Sequence, residues 1–241
     1  MKLRHRTKFV YTAATLLTMG TLALTTVPAA AVTGTPTSPA THLANIISKG
    51  DQEITRRLNS LNSLSGKISA ATRLSASDKS TLSDEVATEI SGLTALKTKL
   101  DAETTVSGAA ADVSSMVSEY RVYALVVPKV MLVKTADDQQ VVETKLSALA
   151  TKLGSRISAA QASGKNVTTV QAELSDMQSK TAAAQTISAS IEASVILLQP
   201  SDYDSNHAIL SGDAAQLKTA HSDNEAAATD AKNIVTALKS L

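Results

Sequence analysis

The sequence predicts an all-α protein, an elongated antiparallel bundle of four to six long helices with coiled-coil-like seams. From position 43 onward, apolar residues recur at three- and four-residue steps, the spacing of one face of an α-helix. Ile54, Leu61 and Ile68 stand seven residues apart, the heptad spacing of packed helices. Aromatic residues make up only 2% of the chain, so Ala, Leu, Val and Ile must form the core. This composition suits narrow seams between close helices better than a deep pocket.

The first 31 residues have the order of a secretory signal peptide. A basic head at residues 2–8 precedes a mildly apolar stretch at residues 9–24, which is shorter than the about 20 residues of a membrane-spanning helix. Ala29 and Ala31 satisfy the small-x-small cleavage rule. We therefore expect secretion, with the signal removed after Ala31 or within two residues of it. The alternative is that the signal is kept as an anchor.

Charge and cysteine content narrow the classes of function. The chain has 23 basic and 22 acidic residues, and the signal holds four of the basic and none of the acidic ones, so the mature chain has a net charge of −3. Such a surface argues against a nucleic-acid partner, which calls for a basic patch. The sequence has no cysteine, which excludes disulfides, thiolate metal sites and a cysteine nucleophile.

A linker and one helical domain follow the signal. Residues 32–42 hold two prolines among Thr and Ser, which predicts a short extended linker. Residues 43–241 are predicted to form a single helical-bundle domain. Its first helix is expected at residues 43–72, weakened near Gly50.

Turn signals divide the domain into further helices. Ser75, three residues before Asp78, resembles a capping box and predicts a turn and a new helix start. A turn this short makes the first two helices an antiparallel αα-hairpin. Gly164 is the predicted left-handed cap of a later helix, and Pro200 ends the next one. A loop at 200–206 then leads to a last helix.

The segment at residues 120–133 is the sharpest candidate for a functional element. It is rich in β-branched residues, apolar nearly all round and interrupted by Pro128. Local propensity favours a strand, but the flanks are helical, so we prefer a buried helix kinked or restarted at Pro128. We interpret the segment as the core of the bundle, and the alternative is a membrane-interaction segment. Its candidate residues are Tyr120, Val122, Tyr123, Leu125, Val126, Val127, Pro128, Val130, Met131, Leu132 and Val133.

No residue pattern predicts a catalytic, cofactor or metal site. His42 falls in the predicted linker, and His207 and His221 fall on one predicted helix, about 21 Å apart by helical rise, so they cannot share a metal ion. We interpret His207 and His221 as surface residues.

Adjacent carboxylates are interpreted as solvated, because neighbouring helical residues point apart. This applies to Asp84 with Glu85 and to Asp137 with Asp138. The loop residues Asp202 and Asp204 suggest at most a loose cation site, since an EF-hand glycine and terminal Glu are missing there.

The sequence therefore predicts an exported, non-enzymatic structural or binding protein of the cell envelope or extracellular space. We expect its helical surfaces to bind a protein partner or to self-associate, with no cofactor, nucleic acid or small-molecule substrate. The alternative is a membrane-active, pore-forming-like helical protein that uses residues 120–133. An enzyme is the least favoured class, because no set of side chains fills the roles of nucleophile, base and orienting group.

Overall fold

The computed structural model describes residues 38–241. The predicted signal peptide, with Ala29 and Ala31, lies outside the described residues. Within residues 38–241 the chain is all-α and has no strand, which confirms the predicted fold class. The bundle arrangement, its elongated shape and the coiled-coil-like seams stay predictions. The elements are α1 (Pro39–Ala70), α2 (Ala76–Asp101), α3 (Val106–Ser118), a π-helical turn (Val122–Val126), α4 (Val127–Ala162), α5 (Thr168–Val195), α6 (Pro200–Ser205) and α7 (Asp213–Ser240).

Helix α1 begins at Pro39, earlier than the sequence analysis predicted. Pro39 occupies the first turn, where its missing N–H costs nothing, and the Ser38 hydroxyl accepts the Thr41 N–H at 3.2 Å. The end of the predicted linker is therefore helical, and His42 lies in α1. Gly50 does not interrupt the helix. It is buried, and a Cβ there would lie 2.5 Å from Leu100 Cδ2, so the glycine lets α1 approach α2 closely.

The amino-terminal helices pack as the predicted hairpin, with α3 against both. Lys97 of α2 contacts Asp51 of α1 at 2.9 Å, which places the end of α2 beside the first half of α1. The Ser75 hydroxyl caps α2 by accepting the Asp78 N–H at 3.0 Å. The turn that the sequence predicted there is confirmed.

Helices α4, α5 and α7 pack against one another in pairs. Gln171 of α5 contacts Gln161 of α4, and Ser188 of α5 contacts Glu143 of α4, so α5 runs antiparallel to α4. Gly164 joins them with a φ of 78°, the predicted left-handed cap. The prediction of a loop at residues 200–206 is wrong in part, because Pro200–Ser205 form the short helix α6.

The chain between α3 and α4 takes an unusual path. Arg121 has a φ of 42°, a left-handed conformation that is uncommon for any residue but glycine. The π-helical turn follows directly, and Pro128 lies in the first turn of α4. The helical interpretation with a restart at Pro128 is therefore confirmed, and the strand alternative is wrong. Proline is tolerated there because a first-turn N–H has no partner within the helix.

Candidate protein-binding face

The segment at residues 120–133 divides into a buried side and an exposed side. Its buried side belongs to the core and consists of Val122, Leu125, Val126, Val130 and Val133. Tyr120, Val127, Pro128 and Leu132 are half-buried. Tyr123 and Met131 are exposed by 44% and 46%, so the predicted buried helix is buried on one side only. The reason is helical geometry, because only one side of the segment can contact the other helices.

Tyr123 is fixed at the surface by contacts with α1. The Arg57 guanidinium lies 5.3 Å from the centre of its ring, and the Ser60 and Tyr123 hydroxyl oxygens are 3.1 Å apart. Arg57 is itself held by Glu53, at 2.9 Å. The tyrosine therefore presents an ordered apolar ring to solvent.

The exposed apolar residues continue along α4. Met131, Val142 and Leu149 are separated by 11 and 7 residues, which places them on the same side of the helix. We call Tyr123, Met131, Val142 and Leu149 the α4 face. Only two other large apolar side chains of residues 38–241, Val117 and Leu197, are exposed to a similar or greater degree. The α4 face is thus the main concentration of exposed apolar surface in the described part of the chain.

Three cavities adjoin the α4 face. The first, of about 430 Å³, lies between α1 and α4 and contains Tyr123, Val127 and Met131 in its wall. The second, of about 610 Å³, lies between α4 and α7 and shares Met131 with the first. The third, of about 440 Å³, continues between the same two helices beside Leu149. We call the last two cavities together the α4–α7 groove.

Arg121 is anchored in its strained conformation from α6. Its Nε donates to Asp204 at 2.7 Å, and its guanidinium lies 5.5 Å from the Tyr203 ring centre. Asp202 accepts the Gln199 N–H at 2.8 Å and so caps α6. Both acidic side chains of the suggested loose cation site are therefore engaged in contacts within the protein. Residues 38–241 contain no group of three or more His, Asp or Glu side chains placed to hold a metal ion.

A fully buried lysine lies beneath the α4 face. Lys129 Nζ is 2.6 Å from Glu85 Oε2 and donates to the Leu198 carbonyl oxygen at 2.7 Å. Glu85 is only 13% exposed, so the expectation that it is solvated is wrong. The lysine compensates the burial of this carboxylate, and the pair connects α2 to α4.

Glu89 lies one turn beyond Glu85 and has no comparable partner. Its pKa is raised to about 7, chiefly by burial and also by the Glu85 charge, while the Lys129 charge opposes the rise. Glu89 therefore gains its charge near neutral pH.

Replacing Glu89 by Gln should stabilise the protein at pH 8 and not at pH 5. The folded protein holds the Glu89 proton more tightly than the unfolded chain, whose pKa is near 4.5. Stability from the protonated form is present in full below pH 4.5 and is lost as the pH rises through about 7. Glu89→Gln keeps the neutral form at every pH, so we expect a gain of about 1–3 kcal/mol at pH 8. Urea unfolding at both pH values measures this, and an equal effect at the two would contradict it.

A second buried carboxylate, on α4, helps to cap the start of α2. The Ser75 N–H donates to Asp137 Oδ2 at 2.7 Å, a role that a capping box would give to Asp78. Asp137 is buried rather than solvated, which corrects the sequence interpretation. Burial raises its pKa, and the Ser75 N–H counteracts that rise. Asp138, its neighbour, pairs with Lys134 at 2.6 Å.

The three histidines of residues 38–241 are exposed, but two of them lie elsewhere than predicted. His207 precedes α7, because that helix begins only at Asp213, and its ring lies 5.0 Å from that of Tyr203. His221 is on α7 and lies 3.4 Å from Glu225. His207 and His221 therefore do not share one helix.

The described residues define an all-α protein with an apolar face on its longest helix. No protein-family model, curated protein or solved structure matches the chain. None of the helices within residues 38–241 is both long and apolar enough to cross a membrane.

Proposed function

We propose that the protein is an exported, non-enzymatic binding protein that holds a protein partner on the α4 face. The observation that carries the proposal is the clustering there of four of the six exposed large apolar side chains of residues 38–241. Exposed apolar patches next to grooves are typical of protein–protein interaction sites. The order of basic, apolar and small residues in positions 1–31 supports export to the envelope or extracellular space.

The chemistry of the α4 face suits a protein interface. Tyrosine and methionine are enriched at such interfaces, and methionine adapts its shape to a partner. Tyr123 is already ordered by Arg57 and Ser60, so little conformational freedom is lost when a partner binds. The other exposed residues stand on a continuous helix, which supports the same conclusion.

The ionic groups around the face favour binding over catalysis. Arg57 pairs with Glu53, and Arg121 with Asp204. Side chains engaged in this way order the surface, whereas a catalytic site needs a nucleophile and a base that converge on free space.

Site-specific photo-cross-linking in the producing cells tests the proposal. A photoreactive residue replaces Val142 in the full chain, and the matched control replaces Ala182, an exposed residue of α5. We expect a discrete adduct with one protein from position 142 and none from position 182. Adducts with lipid from position 142 would favour the membrane-active alternative. Equal adducts from both positions, or none from either, would contradict a binding face on α4.

A further inference from the structure

Building on the proposed function, we infer that the partner presents an acidic amphipathic helix, which lies in the α4–α7 groove. The inference names the partner's chemistry, and it rests on the shape of the groove and on its charges.

The groove has the dimensions of a docked helix. It runs along α4 from Met131 to Leu149, a distance of about 27 Å at 1.5 Å per residue. A helix of about 18 residues covers that length. The floor is apolar and consists mainly of Val142, Leu146, Leu149, Leu217, Ala231 and Val235. Such a floor accepts a helix whose apolar residues recur at three- and four-residue steps.

The walls of the groove are basic. Arg73, Lys218 and Lys232 line it, and all three are exposed. Asp138 is the carboxylate among the lining residues, and its charge is already paired with the Lys134 ammonium group, 2.6 Å away.

The exposed surroundings of the groove extend this pattern. Lys145 follows Val142 by three residues, and Lys152 follows Leu149 by three residues. Both lysines are exposed on α4, on the solvent side of the α4 face. Glu225 on α7, an exposed carboxylate 3.4 Å from the groove residue His221, departs from the pattern.

This basic character is local, because the chain without its first 31 residues has a net charge of −3. Separation of charge on this scale steers a partner of opposite sign and sets its orientation. Acidic residues on the docked helix would meet Arg73 and Lys218 at one end of the groove and Lys232 at the other end.

Charge also argues against two other occupants. Residues 1–37 contain four basic and no acidic residues, so the groove walls would repel them. In a two-fold dimer through this groove, each copy would present the same basic walls to the other, which is unfavourable. A separate acidic partner would be repelled in neither of these ways.

Two designed peptides test the inference with the full chain. Both are 18-residue amphipathic helices with leucine at three- and four-residue steps, and their flanking positions carry Glu in one peptide and Lys in the other. We expect the Glu peptide to bind at least about tenfold more tightly by fluorescence anisotropy at low salt, with a smaller preference at 500 mM salt. Lys232→Glu should weaken binding of the Glu peptide about fivefold, while Lys49→Glu, an exposed charge reversal on α1, should not.

The outcomes separate this inference from the proposed function. Equal binding of the two peptides, or equal effects of the two charge reversals, would overturn the acidic partner while leaving a helix-binding groove. Failure of both peptides to bind would overturn helix docking in the groove, and the cross-link from position 142 would still decide whether the face binds a protein. A change of the protein's own oligomeric state instead of peptide binding would show that a second copy is the occupant.

Discussion

Replacing Glu85 by Gln is expected to destabilise the protein by about 3–5 kcal/mol, because it leaves the Lys129 ammonium group buried without its carboxylate. Lys129 is fully buried, and its remaining contact is the Leu198 carbonyl oxygen. Glu89 stands near enough to replace Glu85 in part. The comparison is therefore made in a Glu89→Gln background, by urea unfolding at pH 8.

The matched control removes both charges. Adding Lys129→Met to Glu85→Gln in the same background leaves no buried ammonium group and should recover more than half of the lost stability. A loss below about 1 kcal/mol for Glu85→Gln, or no recovery with Lys129→Met, would show that the pair does not hold α2 to α4 as described.

Leu125→Ala is expected to destabilise the protein by about 2–5 kcal/mol. Leu125 is fully buried in the π-helical turn, so its truncation leaves a cavity between the helices as well as removing apolar contacts. The same substitution at Leu197, which is 73% exposed, should change stability by less than about 0.5 kcal/mol. Thermal and urea unfolding measure both variants. Similar effects at the two positions would mean that the turn is not part of the core.

Two local signals in the sequence predict helix ends correctly. Ser75 and Gly164 act on the backbone next to them, so their effect is visible without the fold. Pro200 does not end α5 as predicted, because α5 already ends at Val195 and Pro200 begins α6. The structure begins α1 earlier than the sequence indicates, because Pro39 belongs to the helix and not to a linker. A proline in the first turn of a helix and a proline in an extended segment look alike in sequence.

Buried charges were the part that sequence alone could not predict. Lys129 is compensated by Glu85, and Asp137 by the Ser75 N–H, residues far away along the chain. A charged residue is interpreted as exposed unless its partner is known, and the partner is known only from the tertiary contacts. The spacing of Met131, Val142 and Leu149 is visible in the sequence. Which side of α4 remains uncovered depends on where α1 and α7 pack.

The cross-link from position 142, recorded with and without Leu149→Asp, tests the central claim most directly. Leu149 is 36% exposed and lines the groove, so the aspartate introduces a charge into the apolar face without entering the core. We predict one protein adduct in the parent chain, and its loss in the Leu149→Asp variant, with the helical circular dichroism of that variant unchanged. An adduct that persists at the same yield in the Leu149→Asp variant would contradict the assignment of the α4 face as the partner-binding surface.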